Sequence, residues 1–185
     1  TIEIMRVPRI YQPQPLHVGQ QLALDSDGAN HVGRVLRLPV GADIILFNGE
    51  GGQYQCRLVE SGKKKVVADV MSFDDRDCES PLKIHLGQGI SRGDKMELTI
   101  QKAVELGVDS ITPLFSERCG VKLSGERLDK KLHKWQRIVI SACEQCGRNS
   151  VPRVNAPMQL ADWLAEESDE LKLNLPPRAE HSINT

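Results

Sequence analysis

Apolar and polar positions divide the chain into a front that alternates with a period near two and a rear in which short apolar runs alternate with helical periodicity. Residues 42–47, 53–60 and 65–71 read as strands. The turns between them are Asn48-Gly-Glu-Gly-Gly52 and Ser61-Gly-Lys-Lys64, since Asn-Gly and Gly supply the positive φ that tight turns need. Short strands joined by short turns predict a small barrel over the β-rich front. One helix interrupts it. Asp27 is its expected cap and Pro39 its end, with Ala29, Val32, Val35 and Leu36 on an apolar side and His31, Arg34 and Arg37 three apart on another.

An acidic, proline-terminated stretch at 73–81 reads as a linker. Beyond it, residues 82–87 and 111–115 read as strands. Between them lies a helix with Met96, Ile100, Ala103 and Val104 on one face, a capping box at Ser91 and Asp94, and Gly107 as its stop. A long helix follows over about 127–146, with Leu128, Leu132, Trp135, Val139, Ala142, Cys143 and Cys146 as its buried stripe. A short helix at 160–166 and a strand at 171–175 complete the alternation. Strand–helix alternation predicts a parallel sheet with helices on its faces.

Composition adds limits. At 185 residues the chain has room for one domain or two small ones. Lys and Arg number 24 against 25 acids, which excludes a histone-like polycation. Five unevenly spaced cysteines do not form a disulfide framework, so a reduced, cytoplasmic protein is expected. No apolar run is long enough for a membrane helix. Charge is nevertheless uneven: from Arg118 to Arg153 there are nine basic residues and three acids. Such a segment could neutralise phosphates, or could simply be the solvated face of the long helix.

Three clusters carry candidate chemistry. Arg6, Arg9 and Tyr11, with His31, Arg34 and Arg37, could form a basic surface on the barrel, arginine gripping phosphate and Tyr11 stacking on a base. Glu144-Gln-Cys-Gly-Arg-Asn149 gathers polar groups where the long helix stops at Gly147, either at a site or as a glycine cap with Arg148 offsetting the negative helix end. Cys143 and Cys146 lack the further ligands of a zinc site, so core packing is the better reading and no metal is expected.

Several segments together resemble the bacterial 16S ribosomal RNA (uracil-N3)-methyltransferase family. They are Arg6-Val-Pro-Arg-Ile-Tyr11, Asn30-His-Val-Gly-Arg-Val-Leu-Arg37, Leu46-Phe-Asn-Gly49, Arg92-Gly-Asp-Lys-Met-Glu97, Gln101-Lys-Ala-Val-Glu-Leu-Gly-Val108, Ile111-Thr-Pro-Leu114, Ser116-Glu-Arg-Cys119 and Glu144-Gln-Cys-Gly-Arg148. Any one is weak, but eight in this order are specific. The resemblance implies a two-domain α+β protein. A PUA-like RNA-binding β-barrel at 5–73 and a linker at 74–81 would precede an α/β SPOUT-type methyltransferase domain from 82 to 185. The family's C-terminal trefoil-knot part, with its Gly-Pro-Glu-Gly-Gly loop, is absent from these residues, so most of the cofactor pocket is expected outside them and the 185 residues alone are expected to be inactive.

The resemblance further implies a cytoplasmic homodimer that moves a methyl group from S-adenosylmethionine to N3 of a uridine in 16S ribosomal RNA of the small subunit. Arg148 would stabilise the uracil anion or grip a phosphate, with Glu144 orienting it or assisting proton removal. On that reading Arg148→Lys would spare stability and cost turnover. Arg6, Arg9, Tyr11, His31, Arg34, Arg37 and Arg118 would hold RNA, and Asn174, Leu175 and Pro176 would wall the cofactor. The competing reading is a ribosomal-RNA-binding module without chemistry.

Overall fold

The computed structural model describes residues 7–116, 124–166 and 168–175. Arg6, Arg118 and Pro176 lie outside them. Two sheets organise the chain. The first has five strands: β1 (Arg9–Tyr11), β2 (Gln21–Ala23), β3 (Asp43–Phe47), β4 (Gln53–Ser61) and β5 (Val66–Asp74), in the order β1-β3-β4-β5-β2. β1 runs parallel to β3 and pairs Tyr11 with Phe47; the other pairs are antiparallel. Ile10, Ile44, Leu46, Cys56, Leu58, Val66, Ala68 and Val70 bury their side chains inside the curled sheet. Its two edge strands are bridged by the fully buried Gln12, which donates to Asp25 Oδ1 at 3.0 Å and accepts from the Asp25 amide at 2.8 Å.

Asp25, rather than Asp27, caps the interrupting helix α1 (Ser26–Asn30), taking the Gly28 amide on its carboxylate at 2.8 Å. The helix then widens into π turns over His31–Leu36 and ends with Arg37 in the left-handed region, φ 52°. Bonding five residues apart breaks the three-and-four spacing that an amphipathic α-helix relies on. Val35 and Leu36, expected on the apolar side, are therefore exposed, while Ala29 and Val32 are buried. The π turn lies close against the β4–β5 turn: a Cβ on Gly33 would run into the carbonyl oxygen of Gly62.

The second sheet is parallel, with β7 (Ser110–Phe115) between β6 (His85–Gly89) and the short β8 (Arg153–Val154) and β9 (Met158–Gln159). β6 begins three residues later than the apolar pattern indicated. Helices α2 (Asp94–Glu105) and α3 (Glu126–Cys146) pack on it through Met96, Ile100, Val104, Trp135, Val139, Ala142 and Cys143. Gly93 occupies the N-cap of α2 without a side-chain bond, so the Ser91 capping box does not form. Gly147 at φ 92° closes α3, its amide bonding Cys143 O at 3.0 Å, the left-handed stop that glycine accommodates without strain. Cys146 is exposed, off the buried stripe to which the pattern assigned it. Helix α4 (Leu160–Ala165) follows, and the expected strand at 171–175 is not formed: these residues are exposed and without regular structure. Among the described residues no helix is long and apolar enough to cross a membrane.

Phe47, at the end of β3, is buried in the core of the second sheet and not of the first, with Tyr11 packed beside it. The two cores thus meet along β1 and β3.

The Gly33–Gly62 approach is backbone against backbone and has no flexible side chain to yield. Gly33→Ala is expected to destabilise the protein by about 1–3 kcal/mol, as overpacking does. A urea unfolding midpoint equal to that of the wild type would show that the π turn can move away.

Candidate functional site

Arg9, Tyr11 and His31 of the first cluster meet Glu144, Arg148 and Asn149 of the second at the junction between the sheets. Arg9 leaves β1 into the interior. Its Nη2 donates to the carbonyl of Arg148 at 3.0 Å and to Asn149 Oδ1 at 2.7 Å, its Nη1 to Gln53 Oε1, and its guanidinium lies 4.7 Å from the Phe47 ring centroid. Gln53 is held in turn by Asp74, to which it donates at 2.9 Å. Asn149 completes the contact by donating to Arg76 O at 3.0 Å.

Arg148 points the other way. Its Nε and Nη2 grip the Glu79 carboxylate, and its Nη1 donates to Val104 O at 3.0 Å and Val108 O at 2.8 Å. The side chain is only 8% exposed. Burial alone would lower its pKa, but the hydrogen bond and charge of Glu79 outweigh this and raise it. Every atom of the guanidinium is thus engaged by protein groups that join the acidic stretch, the end of α2 and the end of α3. This differs from the expectation that Arg148 faces a substrate. A planar fork is needed here because two backbone carbonyls and a carboxylate must be met together.

Glu144, on the last turn of α3, accepts the Tyr11 amide at 3.0 Å on Oε1 and faces His31 Nδ1 at 3.7 Å with Oε2. Burial raises its pKa, opposed by the Tyr11 amide, His31 and Arg9. Tyr11 packs its ring on Phe47, centroids 5.7 Å apart, and burial pushes its hydroxyl up as well. Among the expected RNA contacts, then, Arg9 is buried and Tyr11 is half-buried at the junction. His31 keeps partial access, and Arg34 and Arg37 are exposed, Arg37 Nε donating to Arg34 O at 3.4 Å.

Asn174 and Leu175 stand exposed beyond α4. The Cys143 thiol is pushed up to about 12, chiefly by burial, and points to Ser150 O at 3.6 Å. It is a packing group. The residues that pattern reasoning missed are Gln12, Gln53 and Glu79. None has a periodic signature, and Glu79 sat in a stretch read only as a linker.

Comparison with known proteins bears on both halves. Residues 78–185 match the model of an RNA methyltransferase domain and residues 24–71 that of an RNA methyltransferase PUA domain. Ribosomal RNA small subunit methyltransferase E of Buchnera aphidicola from Schizaphis graminum is 36% identical over 180 residues, spanning 97% of this chain and 73% of its own length. The Bacillus subtilis protein of the same name is 33% identical over 141 residues, or 76% and 55%. A Legionella pneumophila protein described as a methyltransferase, solved with S-adenosylmethionine bound, superposes with a TM-score of 0.91 at 45% identity, covering 94% of this chain and 72% of that one. The Neisseria gonorrhoeae ribosomal RNA small subunit methyltransferase E, bound to S-adenosyl methionine, gives 0.85 at 45%, covering 89% and 67%.

The junction makes one prediction about its buried ion pair and another about pH. Glu79→Ala strands the Arg148 charge inside the protein and is expected to cost about 3–5 kcal/mol. Arg148→Lys, which can no longer meet both carbonyls and the carboxylate, should cost about 2 kcal/mol. Thermal unfolding distinguishes this from the substrate-gripping role, which would leave Arg148→Lys melting with the wild type.

The second concerns pH. Glu144 holds its proton more tightly when folded than when unfolded, so its ionisation weakens the fold as pH rises from the ordinary glutamate range through its raised pKa. Above the ordinary glutamate range, the urea midpoint of Glu144→Gln should fall less with rising pH than that of the wild type. Superimposable pH profiles would assign the dependence to other groups.

Proposed function

Because the chain belongs to the ribosomal RNA small subunit methyltransferase E family, we propose that it methylates 16S ribosomal RNA in the small subunit, at N3 of a uridine, using S-adenosylmethionine. We propose further that it does so as a cytoplasmic homodimer. The observation that carries the reading is the pairing, on one chain, of an RNA methyltransferase match with a PUA match, in a fold shared with solved relatives that hold S-adenosylmethionine.

The chemistry sets the protein's tasks. Uridine N3 lies on the pairing edge and carries an imide proton. The base must be unpaired, and the proton must leave before N3 can act as a nucleophile. The cofactor supplies an electrophilic methyl group. Holding base and donor in line contributes most of what such a reaction needs. Asn174 and Leu175 are exposed and fit poorly as walls of a cofactor site, so we assign no residue of this chain to hold the cofactor and derive no step through it.

In this reading Arg34, Arg37 and His31 anchor RNA on the barrel. Arg9, Glu144 and Arg148 are positioning residues: they fix the orientation of the RNA-anchoring half relative to the methyltransferase half.

The test uses small ribosomal subunits lacking the modification, incubated with the intact protein and S-adenosylmethionine labelled in its methyl group. The expected outcome is label recovered as N3-methyluridine after nuclease digestion and mass spectrometry. Label on another base or another uridine atom would overturn the N3 assignment. Tight subunit binding without label would favour the non-catalytic module.

A further inference from the structure

We infer that the exposed face of α3 and the π turn of the barrel form one continuous basic track that binds a single RNA strand across both halves of the protein. The inference rests on the proposed RNA methyltransferase function and adds α3 as an RNA-binding element. Arg127, Lys130, Lys134 and Arg137 are exposed and recur at intervals of three, four and three, which places them in one stripe along the helix. From Arg127 to Arg137 the stripe is about 15 Å long, the reach of a few nucleotides.

The stripe does not end at the helix. Arg137 Nε lies 3.7 Å from Asp27 Oδ2 in α1, and two turns further along α3 Glu144 meets His31 at 3.7 Å. The helix therefore delivers its charges to the root of the π turn, which exposes Arg34 and Arg37. The Gly33–Gly62 approach brings the β4–β5 turn, with the exposed Lys63 and Lys64, to the same place.

Among the described residues, acids pair with the basic groups of the track at Lys134, which meets Glu97, and at Arg137, which meets Asp27, while Glu144 meets His31 at the barrel end. Lys134 and Arg137 remain more than half exposed. Glu126 and Asp129 flank its far end. A protein partner is disfavoured, because the exposed side chains of α3 include no apolar anchor of the kind that protein interfaces are built around. At the barrel end the exposed Val35 and Leu36 lie between the two arginines, an apolar surface suited to a base turned out of its stack. The Arg9 and Arg148 contacts hold the two parts of the track in register.

The test measures the salt dependence of binding to a fluorescent 20-nucleotide oligouridine and to purified small ribosomal subunits. It compares the wild type, Lys130→Gln/Lys134→Gln/Arg137→Gln, Arg34→Gln/Arg37→Gln, the two sets combined, and a control, Lys83→Gln/Lys102→Gln. At about 0.7 per lost contact, the α3 variant should flatten the slope of log K against log salt by about two, the barrel variant by about one and a half, and the combination by their sum. The control, and a Lys130→Arg/Lys134→Arg variant, should keep the wild-type slope.

A wild-type slope in the α3 variant would overturn the inference, as would polyglutamate bound through the same stripe as tightly as RNA. If the wild type methylates subunits while the α3 variant binds unchanged, only the track is lost. A wild type that binds no RNA removes the proposed function as well.

Discussion

A buried guanidinium brings five N–H donors and no acceptor, so it can leave water only where the fold arranges enough oxygen atoms around it. This protein sets two such groups around one short stretch of chain. Arg9 takes the backbone carbonyl of Arg148 and the side chain of Asn149, while the side chain of Arg148 turns away to Glu79 and the carbonyls of Val104 and Val108. The result is a relay from Gln53 and Asp74 in the first sheet, through residues 148 and 149, to the end of α2. The orientation of one sheet against the other depends on it.

That dependence explains features that are otherwise unrelated. β1 is parallel to β3 in a sheet whose other pairs are antiparallel, and this pairing puts Arg9, Tyr11 and Phe47 side by side at the junction. The acidic stretch does more than connect: Glu79 and the Arg76 carbonyl are partners of Arg148 and Asn149. Glu144 adds a second, titratable tie through Tyr11 and His31. Under the proposed function a fixed junction would matter, because misplacement of reacting groups by about an ångström lowers rates severely.

Much of the fold was legible because it is written in local periodicity. The strands Asp43–Phe47 and Gln53–Ser61 and the helices Asp94–Glu105 and Glu126–Cys146 fall close to where alternation and the 3.6-residue repeat placed them. Periodicity is a property of neighbours, and burial of one face follows from it. It failed where a longer-range contact overrode the repeat. The approach of Gly33 to Gly62 accompanies a π turn that leaves Val35 and Leu36 in solvent, and the apolar run at 171–175 has no strand beside it among the described residues.

The sequence by itself determined the two-part organisation, most element positions and the family, since composition, spacing and ordered motifs are one-dimensional quantities. Only the tertiary structure decided which arginines face water. Arg9, Arg34, Arg37 and Arg148 have the same chemistry on paper. Two are buried because Gln53, Asn149 and Glu79, 44, 140 and 69 residues away from the groups they meet, supply their acceptors. Satisfying a buried charge is a matter of three-dimensional proximity between residues remote in the chain, and no local pattern carries that information.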